Sequence, residues 1–399
     1  SNIATEKAQS EILMKWVFPV IFVSLLLPIP IFYRMFRQST TIKKVFPKDH
    51  RLYEPPMDLP PMVLAEAVYS TSLEEVNPLN KSGFGKFTFE RLIQATLLDL
   101  VDRGHLSIFQ GDEEPYLRII SEKGLSNFEK ECLRMTLSNK KELAISDLFP
   151  DYQVSSGLYH GAKKSDEKHI RETGSRLKRS FERRLQRIQS CVKDKVHVLR
   201  IPSYYRPLTS EERRLALGMR VCSAITALGG LLFFYYSWRT HGFFSIPFLL
   251  LGLTGLIASF WVHFAMRGAY RDGVLTEEGA EIFYLWTSFE NMLRDIAHLD
   301  QAELESIVLW NRLLVYATLF GYAKKVSKLM KVRHIQLENP DLNLYVAYGW
   351  HSQFYTSTAQ IKQYTAVANT ASNYSVSSGS GSSGGGFSGG GGGGSIGAF

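Results

Sequence analysis

Two histidines and two aspartates lie near one another in a polar stretch of the sequence. His160 and His169 neighbour Asp151 and Asp166, and a histidine held by a carboxylate can act as a general base in hydrolysis. Polar residues of this kind also scatter through any solvated segment. The sequence contains no HExxH, GxSxG, Walker or dinucleotide-binding pattern that would supply the rest of a reaction site. We therefore expect four surface residues, and a protein that is not an enzyme.

Other residues that could take part in binding or catalysis are equally isolated in the sequence. Gly83-Phe84-Gly85-Lys86 is too short for a phosphate-binding loop. His263 lies in an apolar run, where it could serve as a proton site, but Arg267 follows four residues later and favours an interfacial histidine. Three cysteines stand at unrelated spacings: Cys132, Cys191 and Cys222. They indicate neither a disulfide framework nor a zinc site, and we expect no metal and no cofactor.

The formal net charge of +8 comes from one segment. Residues 163–200 carry 13 basic and 5 acidic side chains, which accounts for the whole excess. Apolar residues there recur at helical spacing and form one stripe: Ile170, Leu177, Phe181, Leu185, Ile188 and Val192. Five basic residues off the stripe are candidate contacts with anionic lipid, each contributing about 1 kcal/mol near a membrane surface: Lys178, Arg179, Arg183, Arg184 and Arg187. The alternative is a solvated helix whose stripe packs on a neighbouring domain.

Three uncharged runs of spanning length organise the chain. Residues 16–33 form the first run, and its prolines predict a kinked transmembrane helix. The alternative is a signal peptide, but no small-residue cleavage site follows, and the basic residues after the run are typical of a stop-transfer flank. The other two lie between Arg220 and Arg239 and between Arg239 and Arg267, and they predict two more spans joined as a hairpin at residues 213–266. Four glycines in the hairpin are candidates for close helix packing: Gly229, Gly230, Gly252 and Gly255.

Basic residues flank these spans unequally and predict their orientation. Five follow the first span, whereas Lys7 and Lys15 alone precede it. We expect a multi-pass protein of the cell membrane with residues 1–15 outside and the long segments before and after the hairpin in the cytoplasm. The start at Ser1 without methionine suggests that an N-terminal part is missing.

The first cytoplasmic segment reads as a proline-rich linker at 34–61 and a winged-helix-like α+β module at 62–160. Helical periodicity near 89–100 is followed by two short strands at 105–109 and 116–120. DNA binding needs a basic helix face. The positions expected to be exposed carry three acids and two bases: Glu90, Arg91, Gln94, Asp99, Asp102 and Arg103. We therefore predict no nucleic-acid partner.

The remaining segments complete a mainly α membrane protein. A basic amphipathic helix and connector occupy 161–212, and a cytoplasmic helical module occupies 267–338, with an antiparallel pair of helices at about 280–298 and 300–330. Residues 339–374 read as aromatic and irregular. Residues 375–399 are a Gly/Ser-rich tail, expected to be flexible because it cannot bury apolar surface.

The motifs and their order relative to three spans resemble the C-terminal half of the YciQ-like bacterial family of predicted membrane proteins, domain of unknown function 2207. The residues that carry the resemblance are Tyr53-Glu54-Pro55-Pro56, the 95–100 run with Arg103-Gly104, Leu275-Thr276-Glu277-Glu278-Gly279, and Trp310, Leu313, Ala317 and Gly321. The resemblance implies an outward β-rich domain before the first span and a LemA-type membrane protein as a partner. It assigns no catalytic residues.

Together these features predict a membrane-anchored interaction or scaffold protein that contacts lipid and binds a protein partner or a second copy of itself. The alternative is a subunit or accessory of an oligomeric transporter or channel, which the hairpin glycines motivate.

Overall fold

The computed structural model describes residues 2–12, 16–79, 85–241 and 246–376. Within them the chain is mainly helical, and three stretches are long and apolar enough to cross a membrane: Val20–Thr40, Ser210–Tyr236 and Phe248–Arg271. The expectation of a mainly α chain with three such helices is confirmed. The predicted tail from residue 377 onward lies outside the described residues.

The N-terminal span is built from two helices. After α1 (Asn2–Ile12), α2 (Phe18–Leu26) and α3 (Pro28–Thr40) meet at a turn at Leu27. A proline has no N–H for the helical ladder and its ring crowds the preceding turn, so Pro28 starts a new helix. The helix continues to Thr40, beyond residue 33 where the predicted span ends, because the charged residues that follow the apolar run occupy further turns of α3.

We call the parts of the chain before and after the hairpin helices the first and second soluble segments. The first contains α4 (Pro61–Tyr69), α5 (Phe89–Asp102), β1 (Leu106–Gln110), β2 (Pro115–Ile119), α6 (Asn127–Leu137), β3 (Glu142–Ala144) and α7 (Glu167–Val198). The predicted hairpin forms as an antiparallel pair, and β3, which we did not predict, adds to β2. The spacing of Ser126 and Glu129 in the sequence predicts a capping box, and this box starts α6. The winged-helix arrangement stays a prediction.

After β4 (Tyr205–Arg206), the hairpin helices α8 (Ser210–His241) and α9 (Ile246–Arg271) lead to β5 (Val274–Leu275), α10 (Glu277–Asp295) and α11 (Gln301–Glu305). Then come α12 (Trp310–Phe320), α13 (Ala323–Val332), α14 (Pro340–Ala347) and α15 (His351–Ser372). The single helix predicted over 300–330 is wrong, since it is divided into α11, α12 and α13. Gly321 ends α12 in the left-handed conformation, at φ +89°, which glycine adopts without a Cβ clash.

Residues 339–374 are not irregular, because α14 and α15 occupy most of this range. The buried face of α15 repeats every three or four residues: Phe354, Thr358, Ile361, Thr365 and Ala368. Two of these five are threonines, so the stripe does not read as apolar. Each threonine hydroxyl donates to the carbonyl four residues earlier, at 2.9 and 2.8 Å, which satisfies the buried oxygen within the helix.

One hydrophobic core runs through both soluble segments, from Leu59 to Ile361. Helix α5 lies in its middle and packs against α4, α12 and α15. The expectation that polar residues of α5 are exposed is therefore wrong for Glu90, Gln94 and Asp99, which are 0%, 3% and 1% exposed. Helices from the far end of the chain cover the face that would otherwise meet water.

Candidate functional site

The polar face of α5 joins the two soluble segments through buried ion pairs. Asp99 binds Arg103, the residue that caps the C-terminal end of α5, at 2.8 Å and also pairs with Arg312 of α12. Arg312 contacts Asp102 at 3.4 Å and the exposed Asp58 at 2.7 Å. Burial opposes the charge of Arg312, but Asp99, together with Tyr316 and Asp58, outweighs it and holds the pKa of Arg312 above its ordinary value. The guanidinium therefore stays charged inside the body and links α5 to α12.

The apolar stripe of the basic helix α7 packs on the soluble core, as the solvated-helix alternative predicts. Ile170, Phe181, Leu185, Ile188 and Val192 are each at most 1% exposed, and the helix lies against α15, α6 and α4. The long basic helix is thus part of the soluble body along its length, and its opposite face is left for other contacts.

The five predicted lipid-contact residues divide into two groups. Lys178 donates to Asn369 of α15 at 3.2 Å, and Arg184 pairs with Glu131 of α6. Three more face outward and are exposed: Arg179, Arg183 and Arg187. Contact with anionic lipid stays a prediction for all five. Lys178 and Arg184, and also Arg187 at 3.8 Å from Glu131, have partners within their own chain.

Glu131 is the acidic partner of this basic helix. Burial disfavours its charge, but hydrogen bonds and charge from Arg184 and Arg134 outweigh burial and hold the pKa of Glu131 below its usual value. Arg134 lies 2.7 Å from Glu131, and Arg187 lies 3.8 Å away. The carboxylate therefore clamps α6 to α7 and neutralises part of the charge that the sequence concentrates in this segment.

A second buried carboxylate fixes the membrane helices to the soluble body. Glu212, in the first turn of α8, is fully buried and accepts hydrogen bonds from Ser39 of α3 at 2.7 Å and from Arg206 of β4 at 2.8 and 2.9 Å. The three-residue spacing of Thr209 and Glu212 in the sequence predicts a capping box, and their hydrogen bonds form it. The end of the first span and the start of the second therefore meet at one point.

The Leu275–Gly279 motif completes this junction from the other side of the hairpin. Leu275 pairs with Tyr205 in the two-stranded sheet of β4 and β5. Thr276 caps α10 and its N–H donates to the Tyr204 carbonyl at 2.9 Å. A Cβ at Gly279 would lie 2.3 Å from that carbonyl oxygen, so this position requires glycine. The three spans consequently end at one level, beside the soluble body.

The four hairpin glycines lie at close helix contacts within the chain. A Cβ at Gly230 would lie 2.4 Å from the backbone nitrogen of Gly252, and one at Gly255 would lie 2.4 Å from that of Ala227. A Cβ at Gly229 would lie 2.3 Å from the Phe22 ring of α2. Gly230 and Gly255 let α8 and α9 approach through direct backbone contact, and Gly229 leaves room for the Phe22 ring of α2.

The residues singled out for chemistry are dispersed. Asp151 accepts from the Ser138 hydroxyl at 3.0 Å, and Asp166 accepts from the Lys163 N–H at 3.0 Å. Among the hydrogen bonds and ion pairs of the described residues, none joins His160 or His169 to these aspartates. Residues 83 and 84 of the short Gly-Phe-Gly-Lys run lie outside the described residues. Lys86 pairs with Glu290 at 2.5 Å, and within the described ranges no cluster of three metal-ligating side chains is found.

Sequence reasoning missed the residues that hold the linker in place. The Tyr53 hydroxyl donates to Glu303 of α11 at 2.7 Å, and Arg51 binds both Glu303 and Asp295 at 3.2 Å. The Tyr-Glu-Pro-Pro motif was the available signal, but its partners are about 250 residues away, so nothing local indicates the contact.

The comparison with protein families matches residues 49–330 to the C-terminal domain of a family described as predicted membrane protein DUF2207. The chain belongs to this family. The resemblance drawn from the motifs is thereby confirmed, and with three apolar helices it supports a membrane location. No curated protein and no solved structure matches the chain. The DUF2207 match includes the hairpin and most of the soluble core, and it ends in α13, before the helix α15 that covers α5.

Proposed function

We propose that this DUF2207 protein is a non-catalytic interaction platform held at the inner face of the cell membrane. The observation that carries the proposal is the single core shared by the soluble segments before and after the hairpin. A body built in this way cannot move its two halves independently. Its attachment through Glu212, Ser39 and Arg206 fixes it relative to the spans, so any partner docks at a defined height and angle.

The outward face of α7 is the surface that we propose for the protein partner. An open groove of about 480 Å³ on this face is lined by three arginines, one glutamate and one glutamine: Arg176, Arg179, Arg183, Glu182 and Gln186. Within the described residues, Arg179 and Arg183 have no carboxylate within ion-pair distance. Their Nε atoms instead donate to carbonyls of the same helix at 3.2 and 3.3 Å. An acidic partner segment would neutralise these charges, and arginine is well suited to paired hydrogen bonds with carboxylates.

Photo-crosslinking tests this assignment in native membranes. A benzophenone amino acid at position 183 of the full chain should yield a discrete protein adduct on illumination, identified by mass spectrometry. The control position is Lys328, which is exposed on α13. A LemA-type membrane protein is the first candidate to look for, on the strength of the family resemblance. Absence of any protein adduct at 183, or the same adducts at both positions, would contradict the proposal.

The orientation is part of the proposal and has its own test. Single cysteines replace exposed residues on the two sides, Ala8 of α1 and Ser165 before α7, in a chain lacking Cys191 and Cys222. An impermeant maleimide should label position 8 in intact cells and position 165 after lysis. The reverse pattern would place the soluble body outside.

The transporter-subunit alternative loses the feature that motivated it. Gly229, Gly230, Gly252 and Gly255 each face a helix of the same chain, so they account for packing within the hairpin and with the first span. The platform is therefore the function that the geometry favours.

A further inference from the structure

A groove of about 410 Å³ opens where α8 begins and α9 ends. Its walls include Leu208, Arg213, Tyr270 and the two arginines Arg206 and Arg271. Arg206 is bound to Glu212 at 2.8 Å, and Arg271 is bound to Asp272 at 2.6 Å. Arg213 is exposed, and across the described ranges its guanidinium has no carboxylate partner. The groove therefore presents one uncompensated positive charge.

The depth of this groove follows from the length of α8. The candidate span Ser210–Tyr236 has 27 residues and is about 40 Å long, whereas the hydrocarbon core of a bilayer is about 30 Å thick. The excess lies at the N-terminal end, where Arg213 and Arg220 interrupt the apolar sequence. The first turns of α8, and the groove beside them, consequently lie in the headgroup layer.

Arg213 stands at the head of an apolar stripe on the outer face of α8. Leu217, Val221 and Leu228 follow it on the same side of the helix and are 58%, 44% and 63% exposed. Apolar side chains with this exposure on a spanning helix face acyl chains. A cation directly above such a stripe matches the layout of a phospholipid, in which a charged headgroup joins apolar chains.

A second arginine reaches the same level from below. Arg220 lies seven residues further along α8, about 10 Å deeper, yet its guanidinium stacks 4.2 Å from the centre of the Tyr270 ring in the last turn of α9. The side chain thus extends back toward the headgroup layer. Tyr270 is 43% exposed, and an aromatic residue at this depth is typical of membrane interfaces.

We propose that this groove binds the headgroup phosphate of an anionic phospholipid, with Arg213 as the direct contact. Tyr270 forms part of the wall with Arg220 stacked on its ring, and the acyl chains lie along the outer stripe of α8. The site is distinct from the basic face of α7. It gives the anchored body a specific lipid contact at the junction that sets its position.

Native mass spectrometry of the purified full chain in mild detergent tests the proposal, with phosphatidylglycerol and phosphatidylcholine as probes. Phosphatidylglycerol should bind in preference. Arg213→Gln should weaken its binding about five-fold, the factor that corresponds to about 1 kcal/mol for one arginine near a membrane surface. Arg214→Gln is the matched control, because Arg214 is the exposed neighbouring residue and does not line the groove. Binding of phosphatidylglycerol to this variant should change less than two-fold.

Equal losses in the two variants would show general surface charge and overturn the site. Inorganic phosphate at 100-fold excess, as an order of magnitude, should not displace the lipid, since it lacks the chains that contact the stripe. Displacement by phosphate would identify a soluble anion as the ligand and overturn the lipid assignment. Both variants should elute and melt like the parent chain, because each replaces an exposed side chain.

Discussion

Replacing Asp99 by asparagine tests whether the two soluble segments form a single folded unit. The Asp99 side chain is 2% exposed and binds Arg312, which is 13% exposed. Removing one partner of a buried ion pair costs about 3–5 kcal/mol. Asp102 and Asp58 still face Arg312, so we expect about 3 kcal/mol, at the lower end. For a domain of roughly 150–250 residues, 1 kcal/mol shifts the melting temperature by about 2–4 °C, which gives a fall of about 6–12 °C.

The assay is thermal unfolding of the full chain in detergent, followed by loss of the monodisperse peak on size-exclusion chromatography. Asp58→Asn is the control, since Asp58 binds the same arginine from an 80% exposed position and should cost less than about 1 kcal/mol. In a double-mutant cycle, Asp99→Asn and Arg312→Gln should couple by at least about 0.5 kcal/mol. Additive effects, or equal shifts for the Asp99 and Asp58 variants, would refute the buried bridge between α5 and α12.

Three further predictions concern the spans, the pH dependence and the thiols. Gly230→Ala should lower the melting temperature by overpacking α8 against α9, at a cost of about 1–3 kcal/mol. The control Gly268→Ala, whose added Cβ meets nothing within 4 Å, should be neutral or stabilising. Equal effects of the two variants would contradict the close packing at Gly230. Burial, together with the charge of Lys324, lowers the pKa of His351, so the folded state binds this proton less readily than the unfolded chain. The free energy of unfolding should therefore decrease as the pH falls below about 6.5. This is measured as a loss of melting temperature, which should be smaller in His351→Asn. An equal loss in the parent chain and the variant would refute the prediction. Burial raises the pKa of the Cys132 thiol to about 12, so maleimide should label it after denaturation and not after lysis alone; rapid labelling in the native state would contradict its burial.

Local sequence pattern predicts the elements whose signals lie within a few residues. The α5 helix and the β1–β2 hairpin follow from periodicity and turn residues, and the starts of α6 and α8 follow from capping boxes. Helix α15 escapes the same procedure because threonines occupy two buried positions of its stripe. A threonine that donates to its own helix packs like an apolar residue, and the sequence letter does not reveal which role it takes.

For the candidate sites, the sequence reveals the residues themselves but not their partners. The basic residues of α7 and the hairpin glycines are visible in the sequence because composition and spacing mark them. Their partners are not visible: Glu131 takes up Arg184, and Phe22 fills the space beside Gly229. A charge pattern shows which groups need compensation, and only the fold supplies the group that provides it.

The sequence by itself determined that this chain meets the membrane through three apolar helices, because a charge-free run of spanning length has few other stable environments. It also determined the capped helices and the short hairpin, whose signals are local. Only the tertiary structure decided that the soluble segments share one core and that Glu90, Gln94 and Asp99 lie inside it. A polar residue can be buried wherever a distant residue satisfies it, and for Asp99 that residue is Arg312, on a helix that the chain reaches only after the two apolar helices of the hairpin.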